Sequence, residues 1–299
     1  MAKERVVQLY LKELETISID WLSSNIELPE LLFHYTSAEL CFLIIQTPTI
    51  SEGGPRLWAS CALGMNDATE VRYGIDLVRE VASEIVPQDE LERSFAQHWK
   101  NGDYARLSFL EQTCVACFCD RPDLLSQWRA YGKSGTGYCL GFRRDILSEA
   151  GSKVGFKLVP IIYRREEQIQ KVRMLFDKAS AILQRDRPEE RQLWRAAIEV
   201  AVNLSLAFKH ESFSEEREWR LISPNPRCLN FRAGRWGVIP YAEIPLPKNA
   251  LAEIWQGPTL DYDLTRRTLE MYLVRTYGVN DAVQSVVQVR RSEIPLRKI

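Results

Sequence analysis

The C-terminal third of the chain holds a closely spaced series of strand-like runs, which constrains the fold more than any other feature. Alternating apolar and polar residues predict strands at 216–223, 228–232, 238–246 and 252–256, then a helix at 261–277 and a last strand at 285–290. Several connecting loops are too short for the crossover that joins parallel strands. The sequence therefore predicts an α+β protein with a mixed, largely antiparallel sheet and flanking helices.

Helical patterns interrupt the strands in the rest of the chain. Apolar residues at near-helical spacing predict a leading helix at 1–23, which we expect to pack on the body or to support a homodimer. Segments 88–112 and 164–209 are predicted as helical insertions between strands. The intervening sequence predicts short strands at 31–35, 57–60, 114–119, 137–142 and 156–163. We expect these elements to form one domain, 1–299.

Charge and hydropathy exclude several classes of partner. The 299 residues are 45% hydrophobic, enough for a large buried core, and their formal net charge is −1. This balance gives no overall attraction to nucleic acid or to an anionic membrane surface. Since no apolar run is long enough to span a bilayer and no signal-peptide core opens the chain, we expect a cytoplasmic protein without a membrane partner.

The seven cysteines lie mostly within apolar stretches and predict reduced thiols in the core. Cys114 and Cys117 have the spacing of a redox or zinc half-site, but no second pair or nearby histidine completes a tetrahedral set. The segment fits a buried strand better. The sequence also lacks a Gly-x-Gly-x-x-Gly or Walker-type loop, which argues against the usual dinucleotide and triphosphate sites.

His34 lies where a predicted strand meets a predicted helix, a location that commonly lines a ligand crevice. Thr36 and Glu39 have the spacing of a capping box, with Thr36 as the N-cap of a helix that runs through Ile45. In a regular strand His34 and Tyr35 project to opposite faces, so we expect only one of them to face a site. A ligand-binding histidine and a core histidine bonded to a backbone carbonyl fit equally well.

The segment Glu216–Arg220 is the most suggestive in the chain. A continuous strand would place Glu216, Glu218 and Arg220 on one face. Two carboxylates and a guanidinium together suit a sugar diol, a cationic transition state or a metal ion. The alternative is a solvated edge strand with alternating salt bridges. Trp219 on the opposite face favours a buried face and hence the functional interpretation.

Two further polar segments have local explanations beside functional ones. Asn66 and Asp67 precede a predicted helix that runs to about residue 85, and Asp67 with Glu70 forms a capping pattern that needs no ligand. Lys209 suits an anionic phosphate or a solvated helix end equally well. We expect the three motifs that contain His34, Asn66 and Glu218 to converge on one site.

In their order along the chain, these segments resemble a bacterial family known as domain of unknown function 2971. The resemblance is carried by Phe33–Thr36, Leu57–Ser60, Met65–Glu70, Cys117–Cys119, Gln127–Tyr131, Gly137–Phe142, Lys209, Glu216–Arg220 and Ile254–Pro258. Two positions depart from the pattern. Cys119 stands where the family leads us to expect serine, and Met65 where it leads us to expect phenylalanine.

That family is in turn similar to the ADP-ribosyltransferase clan, and this second resemblance implies roles for individual residues. His34 would hold a ribose of NAD, Ser60 or Trp58 would lie beside nicotinamide, and Glu218 would be the catalytic glutamate. Glu216 would activate the acceptor. NAD would be a substrate, with no tightly bound cofactor. The clan's second-strand tyrosine has no clear counterpart in the second predicted strand.

Three functions stay open at this point. The first is an NAD-dependent ADP-ribosyltransferase or NAD glycohydrolase, for example a bacterial toxin or phage-defence effector with a macromolecular acceptor, in which Glu218 and Glu216 are catalytic. Its expected substrate-binding residues are His34, Tyr35, Thr36, Ser60, Asn66, Lys209 and Arg220. The second is a non-catalytic binding or regulatory domain in which the face of Glu216, Glu218 and Arg220 recognises a ligand or a partner without chemistry. The third is a metal-dependent hydrolase with carboxylate ligands Asp67, Glu70, Glu216 and Glu218.

Overall fold

The computed structural model describes residues 2–15, 28–46, 53–62, 68–87, 90–101, 113–186, 190–224, 226, 228–234, 237–279 and 286–295. Within them, ten strands form one sheet in the order β10-β9-β4-β1-β3-β2-β8-β7, and β6 pairs with β3 and with β5. The strands are β1 (Leu31–Thr36), β2 (Arg56–Cys61), β3 (Cys114–Cys119), β4 (Tyr138–Arg143), β5 (Lys157–Pro160), β6 (Glu218–Ser223), β7 (Asn230–Gly234), β8 (Gly237–Pro245), β9 (Leu251–Gln256) and β10 (Gln288–Arg291). Among these ten described strands, β9 and β10 pair in parallel and the other pairs are antiparallel. The predicted α+β class with a mixed, largely antiparallel sheet is confirmed.

Helices pack on both faces of this sheet. They are α1 (Ala2–Leu14), α2 (Ala38–Ile45), α3 (Ala68–Glu84), α4 (Glu90–Asn101), α5 (Leu125–Ala130), α6 (Arg144–Lys153), α7 (Arg165–Asp186), α8 (Glu190–Ser205) and α9 (Tyr262–Tyr277). Helices α1, α3, α4, α7 and α8 share one core cluster with Ile222. Helices α2, α6 and α9 share another with Leu221. Because adjacent strand residues project to opposite faces, the sheet separates the two clusters.

The predicted leading helix and helical insertions correspond to α1, α4, α7 and α8, and the helices predicted through Ile45, to about residue 85 and at 261–277 correspond to α2, α3 and α9. Helix α6 has no counterpart among the predicted elements. Residues 16–23, 88–89, 102–112 and 187–189, which belong to the predicted leading helix and helical insertions, lie outside the described residues. Val7, Leu11 and Leu14 of α1 are buried in the cluster that contains α8. A homodimer through α1 stays a prediction. In the described part of the chain, no helix combines the length and apolar character needed to cross a bilayer.

Strand β3 is the branch point of the sheet. Along one edge it pairs with the whole of β6. Along the other edge, Cys114 and Val115 pair with β2, whereas Cys119 pairs with β1. Since β1 and β2 take opposite ends of the same edge, they diverge from each other. The divergence leaves a cleft beside Cys117, in the middle of β3.

The loop 132–137, between α5 and β4, packs tightly against the end of β1. A Cβ atom on Gly137 would lie 2.2 Å from the carbonyl oxygen of Thr36, so only glycine fits there. Lys133 and Ser134 have positive φ angles of 48° and 55°. This left-handed conformation costs an L-residue about 1–2 kcal/mol. The tight packing holds Lys133 near the cleft between β1 and β2.

Candidate active site

A cavity of about 60 Å³ lies at this cleft and is lined by residues that are far apart in the sequence. Its lining residues come from β1, β3, α5 and the region around the start of β6: Phe33, His34, Tyr35, Cys117, Phe118, Gln127, Tyr131, Glu216 and Glu218. His34 and Glu218 therefore line a common space, which is the arrangement that the NAD hypothesis requires.

The divergence of β1 and β2 explains how both residues line one cavity. Phe33 and Glu218 are both register partners of Cys119, so they share a face of the sheet. His34, the neighbour of Phe33, projects to the other face. The His34 ring occupies the opening beside β3, where its Nδ1 lies 2.9 Å from the carbonyl oxygen of Cys117. Residues from both faces thus meet where the sheet is open.

The hydrogen bond to Cys117 determines the tautomer of His34. A carbonyl oxygen can only accept, so Nδ1 carries the proton and donates it. Burial lowers the pKa of His34, and the hydrogen bond to Cys117 opposes this effect only in part. The ring is therefore neutral at pH 7, and its Nε2 is a hydrogen-bond acceptor. The sequence leaves open whether His34 is bonded to a backbone carbonyl or lines a ligand site, and in the structure it does both.

Tyr35 positions α5. Its hydroxyl donates to the carbonyl of Arg121 (3.3 Å) and accepts from the amide of Leu124 (2.9 Å). Its ring packs edge-on against Trp128, with centroids 4.9 Å apart. Tyr35 also lines the cavity, but its buried side chain is occupied by these contacts. They fix the helix that carries Gln127 to the cavity wall.

The predicted capping role of Thr36 is wrong. Strand β1 continues through Thr36, and the N-cap of α2 is Ser37, whose Oγ accepts from the amide of Leu40 at 3.3 Å. Six register pairs with β4, from Leu31 to Thr36, account for the longer strand. Thr36 is buried and lines the pocket that adjoins the cavity.

The predicted continuous strand from Glu216 is also wrong at its first two residues. Glu216 ends a 3₁₀ helix that spans Glu211–Glu216, Arg217 has a left-handed φ of 47°, and β6 begins at Glu218. Arg217 donates from Nε and Nη2 to the carboxylate of Asp120, at 2.6 and 2.7 Å. This ion pair anchors the turn to the end of β3. The alternation predicted for Glu218, Trp219 and Arg220 is present.

Glu216 nevertheless joins Glu218 and Arg220, because Lys209 connects them. Lys209 Nζ donates to Glu216 (2.5 Å) and to Glu218 (3.1 Å). Arg220 donates from Nε and Nη2 to the two oxygens of Glu218, at 2.7 and 2.9 Å, and from Nη1 to the carbonyl of Leu206 at 2.7 Å. Two carboxylates and two cations form a charge-balanced cluster. Glu216, with 20% of its side chain exposed, is its most accessible member.

The cluster keeps Glu218 ionised. Burial by itself raises the pKa of this carboxyl, but the charge and hydrogen bonds of Arg220, followed by the charge of Lys209, outweigh it. A side-chain hydrogen bond with Cys117 acts in the same direction. The net result lowers the pKa of Glu218 from 4.5 to about 2. The cavity wall therefore carries an ionised carboxylate, balanced by the buried cations behind it, beside a neutral imidazole at pH 7.

This shift predicts a pH-dependent loss of stability. Since the pKa of Glu218 is lower in the folded state than in the unfolded state, its contribution is complete above about pH 4.5 and is lost as the pH falls toward 2. The shift corresponds to about 3 kcal/mol. Urea unfolding from pH 7 to 3 should show a steeper decline for the unaltered protein than for Glu218→Gln. Parallel declines would contradict the assigned pKa.

Gln168 supports the cluster and was missed by the sequence reasoning. Its fully buried amide donates to the carbonyls of Ile162 (2.7 Å) and Lys209 (2.9 Å), and it accepts from the Tyr73 hydroxyl (2.8 Å). These bonds fix the backbone of Lys209. The sequence feature that could have identified Gln168 is its position on the apolar face of α7, four residues before the buried Val172.

A larger pocket of about 390 Å³ adjoins the cavity and shares His34, Tyr35 and Tyr131 with it. Ser60 and Trp58 of β2 line this pocket, so the two segments that the resemblance relates to NAD face the same space. Ser60 Oγ accepts a hydrogen bond from Arg232 Nη2 at 2.9 Å. The volume lies within the range of small-molecule sites, about 300–1,000 Å³.

Residues 127–221 match the family model described as a protein of unknown function, DUF2971. This match supports the resemblance to that family over less than half of the chain. The matched segment contains Gln127, Lys209, Glu216 and Glu218, whereas His34 lies outside it. Searches of curated proteins and of solved structures each found no match. The similarity to the ADP-ribosyltransferase clan stays a prediction.

The remaining predicted residues bear on the metal hypothesis. Asn66 and Asp67 lie outside the described residues, so their predicted convergence with His34 and Glu218 stays a prediction. Within the described ranges, no group of three or more histidine, cysteine, aspartate or glutamate residues is placed to hold a metal ion. Glu216 and Glu218 instead share the ammonium of Lys209.

Proposed function

We propose that the protein cleaves the bond between nicotinamide and ribose in NAD, as an ADP-ribosyltransferase or NAD glycohydrolase. The observation that carries this proposal is that His34 and Glu218 line one cavity, the first as a neutral acceptor and the second as an ionised carboxylate. The adjoining pocket supplies space for the rest of a dinucleotide.

In the proposed reaction, Glu218 stabilises charge that develops on the sugar. When the glycosidic bond breaks, its electron pair leaves with the nicotinamide nitrogen, and positive charge develops on the ribose C1 and ring oxygen. An ionised carboxylate held in a largely buried site stabilises that charge electrostatically. His34 Nε2 accepts a hydrogen bond from a ribose hydroxyl and orients the sugar.

The acceptor then forms a bond to C1 and loses a proton. Glu216 is the carboxylate of the cluster that is best placed to take this proton, because part of its side chain is exposed at the cavity. Water as acceptor gives an NAD glycohydrolase. A nucleophilic group of a protein or nucleic acid gives an ADP-ribosyltransferase, the chemistry of a toxin or phage-defence effector.

The proposal is tested by incubation with NAD and measurement of the nicotinamide released. We expect Glu218→Gln to lower kcat by about 100-fold or more, because the variant keeps the shape of the side chain and removes its charge. The matched control is Glu84→Gln, which removes a carboxylate from the exposed pair with Arg173, away from both pockets. It should leave kcat within about twofold, since such pairs contribute little.

Thermal unfolding of Glu218→Gln separates loss of chemistry from loss of folding. A folded variant that releases nicotinamide as fast as the unaltered protein would remove Glu218 from the mechanism. His34→Ala provides a second measurement. It should mainly raise KM, since it removes a ligand contact and leaves the charged cluster in place.

A non-catalytic ligand-binding role is the second candidate, and one observation favours it. Glu218 is engaged by both Lys209 and Arg220, as in a buried structural ion-pair network. In this role NAD would bind, but neither the unaltered protein nor Glu218→Gln would release nicotinamide. Binding of NAD without turnover therefore selects the second candidate over the first.

A further inference from the structure

Arg232 of β7 lines the larger pocket of about 390 Å³ (the wide pocket), and within the described ranges not all of its N–H groups have a hydrogen-bond partner. One of its five N–H groups donates to Ser60 Oγ at 2.9 Å, and its guanidinium carbon lies 5.8 Å from the centre of the Trp58 ring. Its Nε is buried, yet among the described residues it has no hydrogen-bond partner. A buried donor without a partner is costly. The donors left for a bound acceptor are the N–H groups of Nη1 and Nη2 that do not bond to Ser60.

Lys133 supplies a second positive charge at the same pocket. It is exposed and belongs to the tight loop 132–137, which rests on the end of β1. Within the described part of the chain, neither Lys133 nor Arg232 forms an ion pair, and no carboxylate lines this pocket. Glu243, on the strand that pairs with β2, is paired with Arg56 instead. Among the described residues that line it, the pocket therefore has two cations and no carboxylate.

The two ends of the site have different charge. At the smaller cavity (the narrow cavity), Lys209 and Arg220 balance the charges of Glu216 and Glu218, whereas Arg232 and Lys133 lie at the wide pocket, and His34 lines both. A ligand with an uncharged sugar end and an anionic end matches this separation. Arginine supplies planar paired donors for phosphate oxygens, and lysine adds a point charge.

We propose that Arg232 and Lys133 form a phosphate-binding subsite that takes the diphosphate of a dinucleotide, with Ser60 and Trp58 as the residues that orient Arg232. The subsite rests on the proposed function only for the identity of the whole ligand. Its chemistry applies equally to ADP-ribose and to inorganic pyrophosphate, which need no glycosidic cleavage in order to bind.

Calorimetric titration with ADP-ribose, pyrophosphate and adenosine tests the subsite. We expect Arg232→Gln to weaken the binding of ADP-ribose by roughly tenfold to a hundredfold, since it removes charge-assisted hydrogen bonds. Lys133→Gln, at an exposed side chain, should weaken it by a smaller factor. Arg56→Gln is the matched control, because Arg56 lies on β2 but does not line the pocket, and it should leave the affinity unchanged.

Each outcome separates the subsite from the cleavage reaction. Unchanged affinity of ADP-ribose in a folded Arg232→Gln variant would overturn the subsite, as would failure of the unaltered protein to bind either phosphate compound. An equal loss of adenosine affinity would also overturn it, because adenosine carries no phosphate. ADP-ribose binding that depends on Arg232, in a protein that releases no nicotinamide, would support the subsite and reject the NAD cleavage.

Discussion

Replacing Arg220 with methionine is expected to lower the free energy of unfolding by about 3–5 kcal/mol, because the change leaves Glu218 without its main partner in a buried position. Arg220 is 1% exposed and makes two hydrogen bonds to Glu218. The variant also removes the donor to the Leu206 carbonyl. The remaining cation, Lys209, is shared with Glu216 and therefore balances the charge of Glu218 only in part. Urea unfolding at pH 7 measures the loss.

Arg217→Met is the matched control for this experiment. Arg217 also forms a two-bond pair with a carboxylate, Asp120, but 46% of its side chain is exposed. Its replacement should cost no more than about 1 kcal/mol. The double variant Glu218→Gln with Arg220→Met should lose less than the sum of the two single losses, because the two residues interact directly. Equal losses for Arg220→Met and Arg217→Met would contradict a stabilising role of the buried cluster.

Gly137→Ala is expected to destabilise the protein by about 3 kcal/mol or more, because the added methyl group would overlap a backbone atom that cannot rotate away. The new Cβ would lie 2.2 Å from the carbonyl oxygen of Thr36 and 2.9 Å from that of Gly132. Relief requires the loop 132–137 to move off the end of β1. A fall in Tm, with weaker ADP-ribose binding through displaced Lys133, is the expected result.

Gly151→Ala provides the comparison for a clash with a side chain. Its Cβ would lie 2.8 Å from Leu221 Cδ2, an atom at the end of a rotatable side chain, and alanine is favoured over glycine within α6. Its loss of stability should be clearly smaller than that of Gly137→Ala. A Gly137→Ala variant as stable as Gly151→Ala would show that the loop tolerates displacement from β1.

The alternation of apolar and polar residues predicted the strands well. It failed at Arg217, where the chain contacts a residue that is distant in the sequence. The order of Glu218, Trp219 and Arg220 follows directly from strand periodicity. Arg217 departs from the strand and pairs with Asp120, a residue 97 positions earlier. No pattern around residue 217 carries that information.

The cleft itself is a product of register, which the sequence does not display. His34 and Glu218 share a cavity because β1 and β2 pair with different parts of β3. A prediction of individual strands specifies neither their order in the sheet nor the register between paired strands. Arg232 was missed for a similar reason: it ends a predicted strand, and only the pairing of β7 with β8 and of β8 with β2 brings it to Ser60.

Because the sheet branches at β3, a bound ligand would connect two parts of the described sheet that do not pair with each other. In the part of the chain described, β1 with β4, β9 and β10 forms one arm of the sheet, β2 with β8 and β7 forms the other, and the arms share no ladder of their own. A molecule that contacts His34 on one arm and Arg232 on the other would supply the missing lateral connection. Binding of the ligand would then also hold the two arms in a fixed relative position.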